Sequence, residues 1–469
     1  MPEYSSAKEA IPSAVLVVNT LDLEGISRGL GDGVFTSEDL LYLFRISQVN
    51  DQVRAVACIN PEAKSIAIQR DQERRDGHVY GALHGIPFLV KDTFVTRDQM
   101  DTTAGSYALA GARYEFEPTI MTKLRGAGAI ILGKTNMSEW GMSRSSKCKS
   151  GWSAIYGQAV GGFYQDQDPQ GSSSGSAIAT SLGLASLLLG ASILYPAQKN
   201  GVVGLKPTVG LTSRFGTIPL NPEQDSVGPI TQYVKDSAII LRVIAGKDNL
   251  DFATENIPFD KIPDYEAACQ KDALKGVRVA VPKSVYRVAD SDPEVGVALR
   301  SAISQFRDCG AIIVEDVDFE HWKPGSGQRE DFFGDVLLRE GTSRSEEFLS
   351  VKARMEHLGY DIERLLDTHH CDILLATSST DLPLDLGRLP GIQVPLWFYS
   401  ADREIVRDSK GMVTKAPNIP YGITLTGRRF SEEKLLACAY AFEQATLTVR
   451  QNEEKLWIKR EPSDGRESQ

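Results

Sequence analysis

Apolar residues recur along this chain in short, regular bursts, separated by polar stretches rich in glycine, serine and aspartate. Residues 37–50 repeat them at helical spacing, with Ser37 as the N-cap and Glu38-Asp39 in the first turn. Residues 55–58 read as a strand, followed by a helix from about 61 to 76. Phe88-Leu89-Val90 is a short apolar run that closes at Lys91-Asp92, as a buried strand would. Residues 119–126 read as helix and 129–132 as strand. Farther on, 277–281 and 312–314 flank a helix over 293–307, and 431–451 form a long amphipathic helix that covers the core. Alternation of this kind predicts an α/β fold in which helices cover a mixed sheet.

The chain has 469 residues, 42% of them hydrophobic, which is enough for a sizeable core. A net charge of −11 argues against a nucleic-acid surface and against an anionic membrane. The six cysteines (58, 148, 269, 309, 371 and 438) are scattered and form no Cys-x-x-Cys pair, which reads as reduced thiols in a cytoplasmic protein. Residues 1–10 lack a basic region followed by an apolar one, so no signal peptide is expected. The longest apolar passage, 182–195, is too short to span a bilayer. One large domain over 1–451 is expected, with a charged, disordered tail over 452–469.

The most informative stretch is Gly171-Ser172-Ser173-Ser174-Gly175-Ser176, with Ser192 following in Gly190-Ala191-Ser192-Ile193. A serine-glycine cluster also suits a flexible linker. Here it opens into 177–190, an uncharged run that reads as a buried helix or a helix-strand passage, and a linker does not open into the core. Small residues at the mouth of a buried helix suit an active-site floor, because glycine permits close approach and a serine hydroxyl both donates and accepts. None of the six histidines sits beside a nucleophile motif, and no zinc-ligand spacing appears. Lys91 is the alternative base, since a lysine desolvated at the end of a buried strand shifts its pKa down. On the residues alone, a lysine that ends a strand and points to water is the better fit.

Other blocks accompany that stretch. They are Gly85-Ile86-Pro87-Phe88-Leu89-Val90-Lys91-Asp92, Asp101-Thr102-Thr103-Ala104-Gly105-Ser106 and Gly133-Lys134-Thr135-Asn136-Met137-Ser138-Glu139-Trp140. Farther along come Asn200-Gly201-Val202-Val203-Gly204-Leu205-Lys206-Pro207-Thr208 and Gln224-Asp225-Ser226-Val227-Gly228-Pro229. In this order, with Gly171 to Ser176 and Ser192, they resemble the amidase signature family, whose signature core would lie at about 80–250. Ile193-Leu194-Tyr195-Pro196 is similar to the fungal branch, itself similar to peptide amidases and to the amidase subunit of tRNA-dependent amidotransferases.

The resemblance implies a single α/β/α domain and an amidohydrolase that cleaves a linear C–N amide through an acyl-serine. Lys91 matches the family's base, Ser172 the serine that relays the proton, and Ser192 the nucleophile. No cofactor and no metal are implied. The substrate would be a small-molecule, peptide or secondary-metabolite amide, and a homo-oligomer stays open. Backbone packing and capping are the expected roles of Ser173, Ser174 and Ser176, and in this family Ser173 is also a hydrogen-bond partner for the lysine. Asp92, Asp225 and Arg144 are expected to be structural and Trp140 to be core.

Two departures stand out. Relatives carry a long helical insertion where this chain is short around 344–366, before the strand-like 371–377. They also carry a short additional Thr/Asp/Gly segment between Gly190 and Ala191, whose amides form much of the oxyanion site. Loss of one such donor removes ~2.7–4 kcal/mol of transition-state stabilisation. This predicts a slow enzyme. The alternatives are an inactive or repurposed amidase-fold protein and the amidase subunit of a transamidation complex.

Overall fold

The computed structural model describes residues 21–43, 46–145, 147–185, 187–190, 192–221, 223–323, 350, 353, 356–385, 387–447 and 455–457. Among them, the first strands of the main sheet are β1 (Val56–Ile59), β2 (Pro87–Lys91), β3 (Ile130–Thr135), β4 (Leu187–Gly190), β5 (Val203–Lys206) and β6 (Gly228–Thr231). The remaining five are β7 (Arg278–Ala280), β8 (Ile312–Val314), β9 (Ile373–Ala376), β10 (Gly391–Phe398) and β11 (Pro420–Thr426). They join in the order β1-β3-β2-β4-β6-β5-β10-β11-β9-β7-β8. The sheet is mixed: β3, β2 and β4 run parallel, as do β9, β7 and β8, and the central strands pair antiparallel.

All five residues of β2 and all six of β3 are buried. Successive strand residues face opposite sides, so both faces of the sheet are covered there, as a layered α/β fold requires. Farther along, the Val234–Ile244 helix packs on β6 and against the Glu432–Thr446 helix. The rings of Phe306 and Phe442 stack at 4.9 Å between the Pro293–Asp308 and Glu432–Thr446 helices.

The structure shifts several sequence expectations. The cap near residue 37 is Thr36, which exchanges hydrogen bonds with Asp39 (2.9 and 3.0 Å), while Ser37 is already helical and buried, its N–H donated to Asp71. The apolar passage after the serine cluster divides into the Ser174–Ser181 helix and β4. The last helix begins at Glu432 and closes at Leu447 in the left-handed conformation, short of residue 451. The tail is corrected at 455–457: Leu456 is buried, and the Trp457 N–H donates to the Gly162 carbonyl at 2.8 Å. Burial of an apolar leucine favours docking of this otherwise charged segment. The rest of the expected tail, with 344–349, 351–352 and 354–355, lies outside the described residues, and Asp361–Thr368 is helical. Among the described residues no helix is long and apolar enough to cross a membrane.

Candidate active site

The parallel strands β3, β2 and β4 end on the same side of the sheet, and each delivers part of one polar cluster. Lys91 is the last residue of β2, and its register partner on β3 is Thr135. Gly190 ends β4, with Ser192 two residues on. Between them the chain enters the Ser174–Ser181 helix through Gly171-Ser172-Ser173, where the Gly171–Ser172 peptide is cis. The carboxyl ends of parallel strands are where α/β sheets usually place ligands, because loops there converge on an open crevice.

The three residues singled out in the sequence meet. The Lys91 Nζ lies 2.7 Å from Ser172 Oγ, and Ser172 Oγ lies 2.9 Å from Ser192 Oγ. Lys91 and Ser172 are buried, whereas Ser192 is partly exposed, so the row of polar atoms starts in the core and ends at solvent. Burial pushes the Lys91 amine down to about 7, opposed by the negative charge of Asp225. An amine at that value is substantially neutral near neutral pH, and its lone pair can then accept the Ser172 proton across the same contact.

The neighbouring blocks act as scaffolding. Asp92, on the residue after Lys91, accepts from the backbone of Thr103 (3.1 Å) and Gly105 (3.3 Å) and from the Thr103 hydroxyl. Burial raises its pKa, and Lys134 at 4.0 Å opposes that rise. Asp225 accepts from the N–H groups of Leu220 and Asn221, which leaves its charge available to Lys91. Arg144 is exposed and pairs with Glu139 at 3.0 Å. The Ser174 hydroxyl donates to the Gln170 carbonyl, and Ser176 bonds Thr135 at 2.8 Å, so both serve packing.

Trp140 is not core. It is half-buried and heads a left-handed stretch, Trp140 to Met142, with φ values of 50°, 63° and 76°. A Cβ on Gly141 would lie 2.1 Å from Leu220, and one on Gly171 would lie 3.0 Å from the Met142 sulfur, so this turn packs against the peptide ahead of Ser172.

Sequence reasoning missed two supports. The Ser138 N–H donates to the Ser172 carbonyl (3.1 Å), and the Asn136 carbonyl accepts from Gly175 (3.0 Å), fastening both sides of the serine cluster to the end of β3. Their signal was present in the block from Gly133 to Trp140, where small polar residues directly follow a buried strand. Elsewhere, Glu320, His321 and Asp361 approach one another, but the Arg364 guanidinium already bonds Asp361 (2.5 Å) and His321 (3.0 Å) there.

The amidase family model matches residues 40–349. A provisionally named amidase of Arthroderma benhamiae is 38% identical over 500 aligned positions, covering 89% of this chain and 84% of the relative. A glutamyl-tRNA(Gln) amidotransferase subunit of a Roseiflexus species is 30% identical over 502 positions, covering 92% and 97%. Among solved structures, the native peptide amidase of Stenotrophomonas maltophilia superposes with a TM-score of 0.81 at 30% identity, over 92% of this chain and 97% of that one.

Proposed function

Because the chain belongs to the amidase signature family, whose members hydrolyse amides, we propose that it cleaves a linear carboxamide of a small molecule or peptide through an ester on Ser192. The observation that carries this reading is the unbroken row Lys91 Nζ, Ser172 Oγ, Ser192 Oγ. Ser192 Oγ attacks the carbonyl carbon, its proton passes to Ser172 Oγ, and the Ser172 proton passes to neutral Lys91. The carbonyl electrons move to oxygen. Collapse of that intermediate breaks the C–N bond, and the departing nitrogen takes a proton from Ser172, which recovers one from Lys91. Water then adds to the ester by the same route and releases the acid. The chemistry uses only these side chains and backbone donors.

Transamidation within a multi-subunit complex is the rival suggested by the amidotransferase relative. The test is ammonia release from simple carboxamides and peptide amides by the isolated chain, beside Ser192→Ala. Release that disappears in the variant supports the free hydrolase. Release that persists in Ser192→Ala overturns the assignment of the nucleophile, and release that appears only with added partner proteins favours the rival. The six free thiols suit a reducing cytoplasm, the compartment we propose.

A further inference from the structure

Ser173 stands at the N-cap position of the Ser174–Ser181 helix, where a serine normally accepts from an N–H of the first turn. Its side chain makes no such bond. Instead, the Ser192 backbone N–H donates to Ser173 Oγ at 3.3 Å. Ser173 is fully buried, and its side chain rests on Gly190: a Cβ there would lie 2.8 Å from Ser173 Oγ and 3.1 Å from Ser173 Cβ. The hydroxyl is thus lodged between the end of β4 and the proposed nucleophile.

We propose that Ser173 is the positioning residue that sets Ser192 against Ser172, an inference that rests on the reading of Ser192 as nucleophile. Two consecutive residues grip one target. Ser172 holds the Ser192 hydroxyl at 2.9 Å, and Ser173 holds its main chain. Because Ser172 and Ser173 share a peptide bond, fixing the Ser192 backbone to one fixes its hydroxyl relative to the other. The passage needs such a tie. The pairing of β4 with β6 ends at Gly190 opposite Gly228, and the next helix, Leu194–Lys199, starts at Ile193 without a side-chain cap. A misplaced nucleophile loses rate steeply, about a hundredfold for a shift of about 1 Å.

Two variants disturb this contact from opposite sides: Ser173→Ala removes the hydroxyl, and Gly190→Ala pushes it away. Both are compared with wild type for kcat and KM on one carboxamide, for the pH midpoint of the rate, and for labelling of Ser192 by a sulfonyl fluoride, each normalised to the folded fraction. Both should lower kcat and the labelling rate together, by about tenfold or more. KM should stay in place, because the loss bears on alignment of the nucleophile in the reaction step, and a pH midpoint that moves in both variants would tie Ser173 to Lys91 instead and overturn the inference. A stability role alone would change the folded fraction and leave the normalised rates unchanged. Should Ser173→Ala fail to fold, Gly190→Ala decides by the same readings. Normalised rates within about twofold of wild type would overturn this inference alone. A wild type that neither labels at Ser192 nor hydrolyses amides would overturn the proposed function as well.

Discussion

Lys91 sits where the fold is least suited to it, wholly buried at the end of β2 with its amine lowered to about 7. Unfolded, it would titrate near the ordinary lysine value of about 10.4. Between those values the unfolded chain binds the extra proton, so stability contributed at this position rises with pH across that window. The burden is full below about 7 and gone above the unfolded value. Lys91→Met should therefore melt a few degrees higher than wild type at pH 6, with the difference closing by pH 11, while hydrolysis is lost. Thermal denaturation at the two pH values checks it, and a variant that melts lower at pH 6 would refute the burial argument. In activity the same group predicts that kcat/KM rises with pH around a midpoint of about 7. Asp225→Asn should move that midpoint down, because the charge that favours protonated Lys91 is removed. An upward move would show that Asp225 acts by some other route. At this scale Lys91, Ser172 and Ser192 could be read from the sequence because each ends or begins a recognisable block. Trp140 could not, because an apolar side chain does not announce a backbone with positive φ.

The elements matter through adjacency. β2 and β4 lie side by side and parallel, so Lys91 and the approach to Ser192 emerge together. The apolar runs revealed that these strands exist. Their pairing was not legible, since it depends on register between segments far apart in sequence. Local capping was misread by one residue because Thr36 and Ser37 are both competent caps, and only the Asp39 exchange distinguishes them. The short passage from Gly190 to Ser192 also belongs to this scale. Inserting a short Thr/Asp/Gly segment directly after Gly190 adds backbone donors ahead of Ser192. It should raise kcat on a simple carboxamide more than it changes KM, since such donors act in the transition state. An unchanged kcat would mean that existing donors already serve. Gly175, at the start of the serine-rich helix, makes a sharper case. A Cβ there would lie 2.2 Å from the Ala55 carbonyl and 2.5 Å from that of Asn136. Gly175→Ala should destabilise the protein by about 1–3 kcal/mol in denaturant titration, the range for overpacking a rigid site. Wild-type stability would show that the β1 and β3 ends can yield.

Over the whole molecule, the α/β class followed from alternating elements, and the family from the order of the blocks. The anchoring of the C-terminal segment did not follow, because a charged stretch hides one leucine that packs between distant elements. Leu456 reaches toward Leu182 over Gly162. Deleting residues 455–469 should therefore lower stability by about 1.5–3 kcal/mol, the range for burying one leucine. Equal stability of the truncated chain would make that contact incidental. A chelator should leave hydrolysis unchanged, since the proposed proton route runs from Lys91 through two serines, and chelator inhibition would require another mechanism. The most direct test traps the reaction itself. Wild type is quenched in acid during turnover of an activated amide, and its peptides are mapped by mass spectrometry. One acyl adduct is expected, on Ser192, absent from Ser192→Ala and strongly reduced in Lys91→Ala. An adduct on Ser172, or turnover by Ser192→Ala at the wild-type rate, would contradict the acyl-Ser192 route.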